Sequence, residues 1–243
     1  MIKLILILIG TMILETGNIC GQSFDKSINK DSLLKSIVKS LPEQKRDSFL
    51  QVYNAGSEGS KEFLLFMLSM PRSSRQALTD NIDSNYDKID KLKREYAKLV
   101  PVNYEVLIEF DPGNKLINEK ESIDLRITKH GNGGIQVFQD WNLAYNSDKL
   151  SQMLTMIHWN NKTLSAIKSL LTEAHCVSIE NGDPVTIGFA RSGMGKYSYK
   201  LFDRDLTSGQ INQYDNGCTY IFYKRNIVLE YGGGAIGSQC FPD

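Results

Sequence analysis

The residues best equipped to do chemistry lie near the C-terminus, between Thr186 and Cys240. Arg191-Ser192-Gly193-Met194-Gly195-Lys196 combines two cations, a hydroxyl, two glycines and an exposed-type apolar side chain. Glycine permits a narrow tip and methionine offers an adaptable apolar contact, so this is the chemistry of a contact loop. It is also the composition of an ordinary glycine-rich turn. Gly195-Lys196 resembles the end of a phosphate-binding loop, but Ala190 stands where the upstream glycine belongs and Tyr197 replaces the magnesium-binding Ser or Thr. Gly232-Gly233-Gly234-Ala235-Ile236-Gly237 has dinucleotide-binding spacing, yet only six residues follow it, too few for the helix that must meet a pyrophosphate. The run is expected to turn the chain back over the sheet edge. Acid–base hydrolysis would require two of Asp203, Asp205, Asp215 and Glu230 to converge within roughly 5–10 Å. Glu230, flanked by Leu229 and Tyr231, would need Arg191 or Lys196 as a partner if it faced the core. His175-Cys176 cannot act as a base–nucleophile pair within one extended segment, because neighbouring strand residues point to opposite faces. With only His130 and His158 besides, and no CxxC or HxxxH spacing, no metal site or catalytic set is expected, and no cofactor.

One family shares part of this pattern. Ser192-Gly193-Met194-Gly195-Lys196-Tyr197 resembles the S-G-x-x-Y loop of the C-type lysozyme inhibitors, one residue longer, and Phe222-Tyr223-Lys224 resembles their later aromatic-x-Lys pattern. That family comprises exported, disulfide-stapled β proteins that insert the loop into lysozyme's active cleft. The likeness covers under a tenth of the chain, and the family has no counterpart to the helical N-terminal part.

Met1-Ile2-Lys3 followed by the apolar run Leu4–Leu14 reads as a secretory signal peptide, too short to anchor in a bilayer. Cleavage after Gly21 would leave Gln22 first. Cys20 offers lipidation as a second route, although Gly17-Asn18-Ile19 lacks the aliphatic and small residues of the lipoprotein pattern. The expected location is the periplasm or cell surface, with an outer-membrane lipoprotein as the lipidated variant. Export makes disulfides expected among Cys176, Cys218 and Cys240. A hairpin centred near Arg225 sets Cys218 beside Gly232, and the glycine run can then return Cys240 to it. The expected bridge is Cys218–Cys240, with Cys176 a buried thiol.

The elements that must position these residues divide into two parts. From 22 to 100 the apolar spacing is helical, with about four helices. Leu33, Leu34, Ile37, Val38 and Leu41 define the first, and Pro42 opens the second, ending near Tyr53. The third is the very apolar stretch Ser60–Met70. The longest, about Ser73 to Val100, carries the stripe Leu78, Ile82, Tyr86 with Ile89, Leu92, Tyr96 and Leu99. That stripe suits packing against its own domain, or a coiled-coil partner in an oligomer. After Pro101 the period becomes two. Tyr104–Phe110, Ile123–Thr128 and Ile135–Leu143 are expected strands, then helices at Ser147–Trp159 and Lys162–Ala174. Strands are then expected at Cys176–Glu180, Val185–Ala190, Lys196–Phe202, Gly217–Tyr223 and Ile227–Tyr231. The fold class is α+β: 1–21 signal peptide, 22–100 helical region, 101–243 a mostly antiparallel sheet with two inserted helices.

Lys+Arg and Asp+Glu are each 28, so nothing in the charge favours nucleic acid. The expected function is a non-enzymatic, inhibitor-like binder of a protein or cell-envelope component. A hydrolase using carboxylates of the C-terminal sheet, and a structural envelope protein oligomerising through the 73–100 helix, are the alternatives.

Overall fold

The computed structural model describes residues 24–117, 119–131, 134–233 and 237–242. The expected leader, Cys20 and the expected maturation sites lie outside them, as do Asn132, Gly133 and Gly234-Ala235-Ile236. Among the described residues no helix is long and apolar enough to cross a membrane. The fold is α+β, as the pattern predicts, and the chain forms two compact units.

The first unit comprises the chain up to Met70 together with Asn114–Glu119. It contains α1 (Lys30–Ser40), α2 (Glu43–Ala55) and α3 (Glu58–Ser69). Asn29 and Ser57 cap α1 and α3 by accepting first-turn N–H groups, whereas Pro42 precedes α2 without a side-chain cap. Phe24, Ile37, Phe49, Tyr53, Leu64 and Leu65 form its core. The Asp25 N–H donates to Leu116 O at 2.7 Å, which ties in a short 3-10 turn, Lys115–Ile117. That turn lies within the connection between the first two strands.

The second unit spans 71–113 and 120–243. It opens with α4 (Arg75–Leu99), capped by Ser74 and bent at Asn85. The expected helical region thus contributes three helices to one unit and its fourth to the other. The strands are β1 (Tyr104–Asp111), β2 (Ser122–Gly131), β3 (Gly134–Leu143), β4 (Ser178–Glu180), β5 (Val185–Ser192), β6 (Gly195–Leu201), β7 (Tyr220–Lys224) and β8 (Ile227–Gly232). They form one antiparallel sheet in the order β3-β2-β1-β4-β5-β6-β8-β7. Between β3 and β4 lie α5 (Asp148–Met156) and α6 (Asn161–Glu173). A short α7 (Ser208–Tyr214), between the strands expected at Lys196–Phe202 and Gly217–Tyr223, is held by a Thr207–Gln210 capping box.

The stripe of α4 faces the sheet. Leu78, Ile82, Ile89, Leu92 and Tyr96 are fully buried with alternate residues of β1, β2, β6 and β8. Asn81 is buried beside them and donates to Tyr199 Oη, which donates to Leu78 O at 2.7 Å. Because the stripe is consumed by its own sheet, the coiled-coil alternative has no apolar seam to use.

The opposite face of the sheet is divided. Phe202, Leu206 and Val228 form a small cluster at its β8–β7 end, joined by Ile211 and Tyr214 of α7. The middle carries charged and hydroxyl side chains. At the far edge β3 is exposed along nearly its whole length.

Candidate functional site

Strand register lines up the polar middle of this second face. Asp124 pairs with Glu109, Glu109 with Ser178, Ser178 with Gly188 and Gly188 with Ser198, one row across β2, β1, β4, β5 and β6. A bulge in β5 between Gly188 and Ala190 then shifts the alternation by one residue. Without it Ala190 would follow Gly188 on this face; with it, Arg191 does, opposite Lys196.

The two cations converge on the two acids. Arg191 donates from Nε to Glu109 Oε1 at 2.8 Å and from Nη2 to Asp124 Oδ2 at 3.2 Å. Lys196 donates to Glu109 Oε2 at 2.8 Å and to Ser178 Oγ at 2.9 Å. To reach β1 the Lys196 stem must cross β5, and Gly188 supplies the notch. A Cβ there would stand 2.1 Å from Ser178 Oγ and 2.9 Å from Lys196 Cδ. Glu109 and Asp124 are only 4% and 5% exposed. Burial pushes the Asp124 carboxyl up, countered in part by the Asn142 N–H that donates to it at 2.8 Å. Burial also works against the Arg191 charge, but the negative field of Glu109, Asp111 and Asp124 outweighs it and holds the guanidinium charged.

The hairpin beyond this network is tighter than the sequence suggests. Strands were expected to end at Ala190 and resume at Lys196; they continue through Ser192 and Gly195, leaving the two-residue turn Gly193-Met194. Gly193 has φ 60°, as the first central position of a hairpin turn of the II′ kind requires, and Met194 does not need a positive φ. The turn is fastened from behind. Gly193 N–H donates to Pro71 O at 2.8 Å, Ser73 N–H donates to Ser192 Oγ at 3.1 Å, and Ser192 Oγ donates to Ser73 O at 3.3 Å. Gly195 is buried against the Tyr231 ring. Of the six loop residues only Met194 stands out, 42% exposed.

The C-terminal segment meets this same end of the sheet. Gly232 pairs with Lys196 and bridges to Ser238, and Gly233 N–H donates to Gly237 O at 2.7 Å, so the chain turns back sharply after β8. Cys218 and Cys240 are bonded, and Phe241 packs on Tyr197 and Tyr231. Cys176 is free and buried, its thiol pushed up to about 12 by burial.

The other expected site residues separate. Asp203 pairs with Lys93, Asp205 with Arg225 and Glu230 with Lys200, while Asp215 accepts the Phe222 N–H. The carboxylates that do converge, Glu109 and Asp124, belong to the first two strands of the sheet. Glu230 lies on the polar face opposite Ser198, and its ion partner is Lys200, diagonal to it on β6, and neither Arg191 nor Lys196. The residues carrying the inhibitor likeness are likewise engaged internally: Ser192 with Ser73, and Tyr223 and Lys224 with Asp83. All three histidines are exposed, and no metal-binding cluster occurs among the described residues.

No protein-family model matches the sequence, and neither does any curated protein or solved structure.

Proposed function

We propose that this chain is an exported, non-enzymatic protein that binds a protein or cell-envelope partner. Its contact surface is the end of the sheet made by the Gly193-Met194 turn and the disulfide-closed C-terminal segment. The carrying observation is a preorganised apolar tip: Met194 is exposed on a two-residue turn held to Pro71 and Ser73. A fixed turn gives up little conformational entropy when it is bound, so even one apolar anchor retains most of its contact energy. The neutralisation of Glu109 and Asp124 by Arg191 and Lys196 supports the non-enzymatic half of the reading, since these acids already serve two cations. The apolar run Leu4–Leu14, together with the Cys218–Cys240 bond, supports export.

Met194→Asp isolates the tip, because Ser192 is needed to hold Ser73. The melting temperature is expected to stay nearly unchanged, as for other exposed loop substitutions. The dissociation constant for a partner captured from envelope extract is expected to rise at least about tenfold, 1.4 kcal/mol. Undiminished binding would remove the turn from the contact surface. Export is tested separately by intact mass: the mature chain should begin at Gln22, or at Cys20 with a lipid-sized increment, and a chain that keeps Met1 would overturn it.

A further inference from the structure

We propose that two copies of this chain associate through β3, their strands pairing antiparallel about a two-fold axis at Phe138, and that the two sheets thereby become continuous. This inference is independent of the reading given for the Met194 turn.

β3 is the outermost strand, paired only with β2, and Gly134–Asn142 is exposed but for half-buried Asp140. A long edge strand offers unpaired N–H and C=O groups, and proteins that remain monomeric blunt such edges with lysine, proline or cover. Here the edge sequence GIQVFQDWNL contains no lysine and no proline, its bulge lies at the C-terminal end between Asp140 and Leu143, and Ile135, Val137, Phe138 and Trp141 are 67%, 55%, 38% and 50% exposed.

The pattern of side chains selects a second copy and a single register. In an antiparallel two-fold pairing, opposing residues must share a face, so each register is centred on one residue. Centring on Phe138 sets Phe138 against its counterpart, Ile135 against the partner's Trp141, and Gln136 against the partner's Asp140. By the register with β2, Ile135, Val137 and Gln139 lie on the second face; Trp141 follows Asp140 onto it at the start of a bulge in which Trp141 and Asn142 both stand opposite Asp124, Asn142 at φ 56°. The Ile135–Trp141 apolar pair thus forms twice on one face.

The other face chooses the same register through charge. Asp140 accepts only the N–H of its neighbour Trp141 and makes no ion pair among the described residues. Lys129, beside Gln136 on β2, also makes none and rests over the Tyr104 ring. These two unpaired charges stand at opposite ends of one strand pair. The two-fold brings each Asp140 to the other copy's Gln136, with Lys129 one strand further, about 5 Å on and within reach of a lysine stem. Centring on Val137 instead sets Ile135 opposite Gln139, and centring on Gln139 sets Asp140 opposite Phe138; both lose the charge pairing.

The test is sedimentation velocity on the full purified chain across about a hundredfold range of concentration, with Trp141 emission followed in parallel. The expected result is a concentration-dependent dimer whose formation shifts Trp141 emission to the blue, against a constant background from buried Trp159. Asp140→Lys and Lys129→Asp are each expected to weaken the dimer at least about tenfold. The charge-swapped double variant is expected to restore it. Circular dichroism and thermal melting of each variant verify that the fold is intact; should Asp140→Lys misfold, Trp141→Lys replaces it with the same expected loss. A chain monomeric at every concentration overturns the proposal, as does a dimer indifferent to these substitutions. A dimer weakened by both single changes but not rescued by the swap overturns the register. Binding of extended peptides by a persistently monomeric chain would assign the edge to a foreign strand and overturn the second copy.

Discussion

Arg191→Met is expected to lower the unfolding free energy at pH 7 by about 3 kcal/mol, the lower end of the range for removing one partner of a buried ion pair. The low end applies because the Arg191 side chain is 36% exposed and water can take up part of the change. Glu109 keeps Lys196 in the variant, so the burden falls on Asp124, whose one cation among the described residues is Arg191. The pH dependence separates this electrostatic cause from lost packing. Burial already raises the Asp124 carboxyl above its unfolded value, and without the guanidinium the nearby Glu109 raises it further. A carboxyl raised on folding favours the native state as pH falls through its folded pKa and disfavours it as pH rises. The difference between variant and wild type should therefore be largest near neutrality and shrink on acidification. Asp124→Asn in the Arg191→Met background should recover much of the loss at pH 7. Urea denaturation of the three chains at two pH values measures all of this. A pH-independent deficit would assign the Arg191 contribution to its aliphatic stem.

Replacing Cys218 and Cys240 together by serine is expected to destabilise the chain by a similar amount. Closing a loop with 22 residues of sequence separation removes chain entropy from the unfolded state worth about 3 kcal/mol. The bridge also holds the segment that seats Phe241 on Tyr197 and Tyr231. Cys240 is exposed and Cys218 half-buried, so dithiothreitol should reproduce the loss in the wild-type chain under native conditions. Guanidinium unfolding of the oxidised, reduced and serine forms provides the comparison. If the three agree within about 1 kcal/mol, the C-terminal segment is held by its aromatic contacts and the bond is incidental. Cys176 enters neither outcome, because it is buried with its thiol neutral.

Most of the architecture was legible because hydrophobic periodicity is a local property. The three-and-four spacing of Leu78, Ile82 and Tyr96 and the alternation of Ile123, Leu125 and Ile127 need no knowledge of what lies opposite. The Cys218–Cys240 bond was legible for the same reason: a hairpin and a glycine run fix both ends within a short stretch of chain. Only residues paired across distant strands could decide the rest. Asp124 reads as a solvent-facing residue of an alternating strand, yet it is buried, because the register places it in one row with Glu109, Ser178 and Gly188. Arg191 and Lys196 read as the base of a protruding loop. A bulge that no local signal announces turns Arg191 onto the sheet beside Lys196, both directed at Glu109, 82 and 87 residues earlier in the chain. Ser192 likewise reads as a contact residue and is instead a fastener for Ser73, 119 residues away. The exposure of Ile135, Val137 and Trp141 was hidden for the opposite reason, since an edge strand and a central strand share one alternation and only the strand order tells them apart.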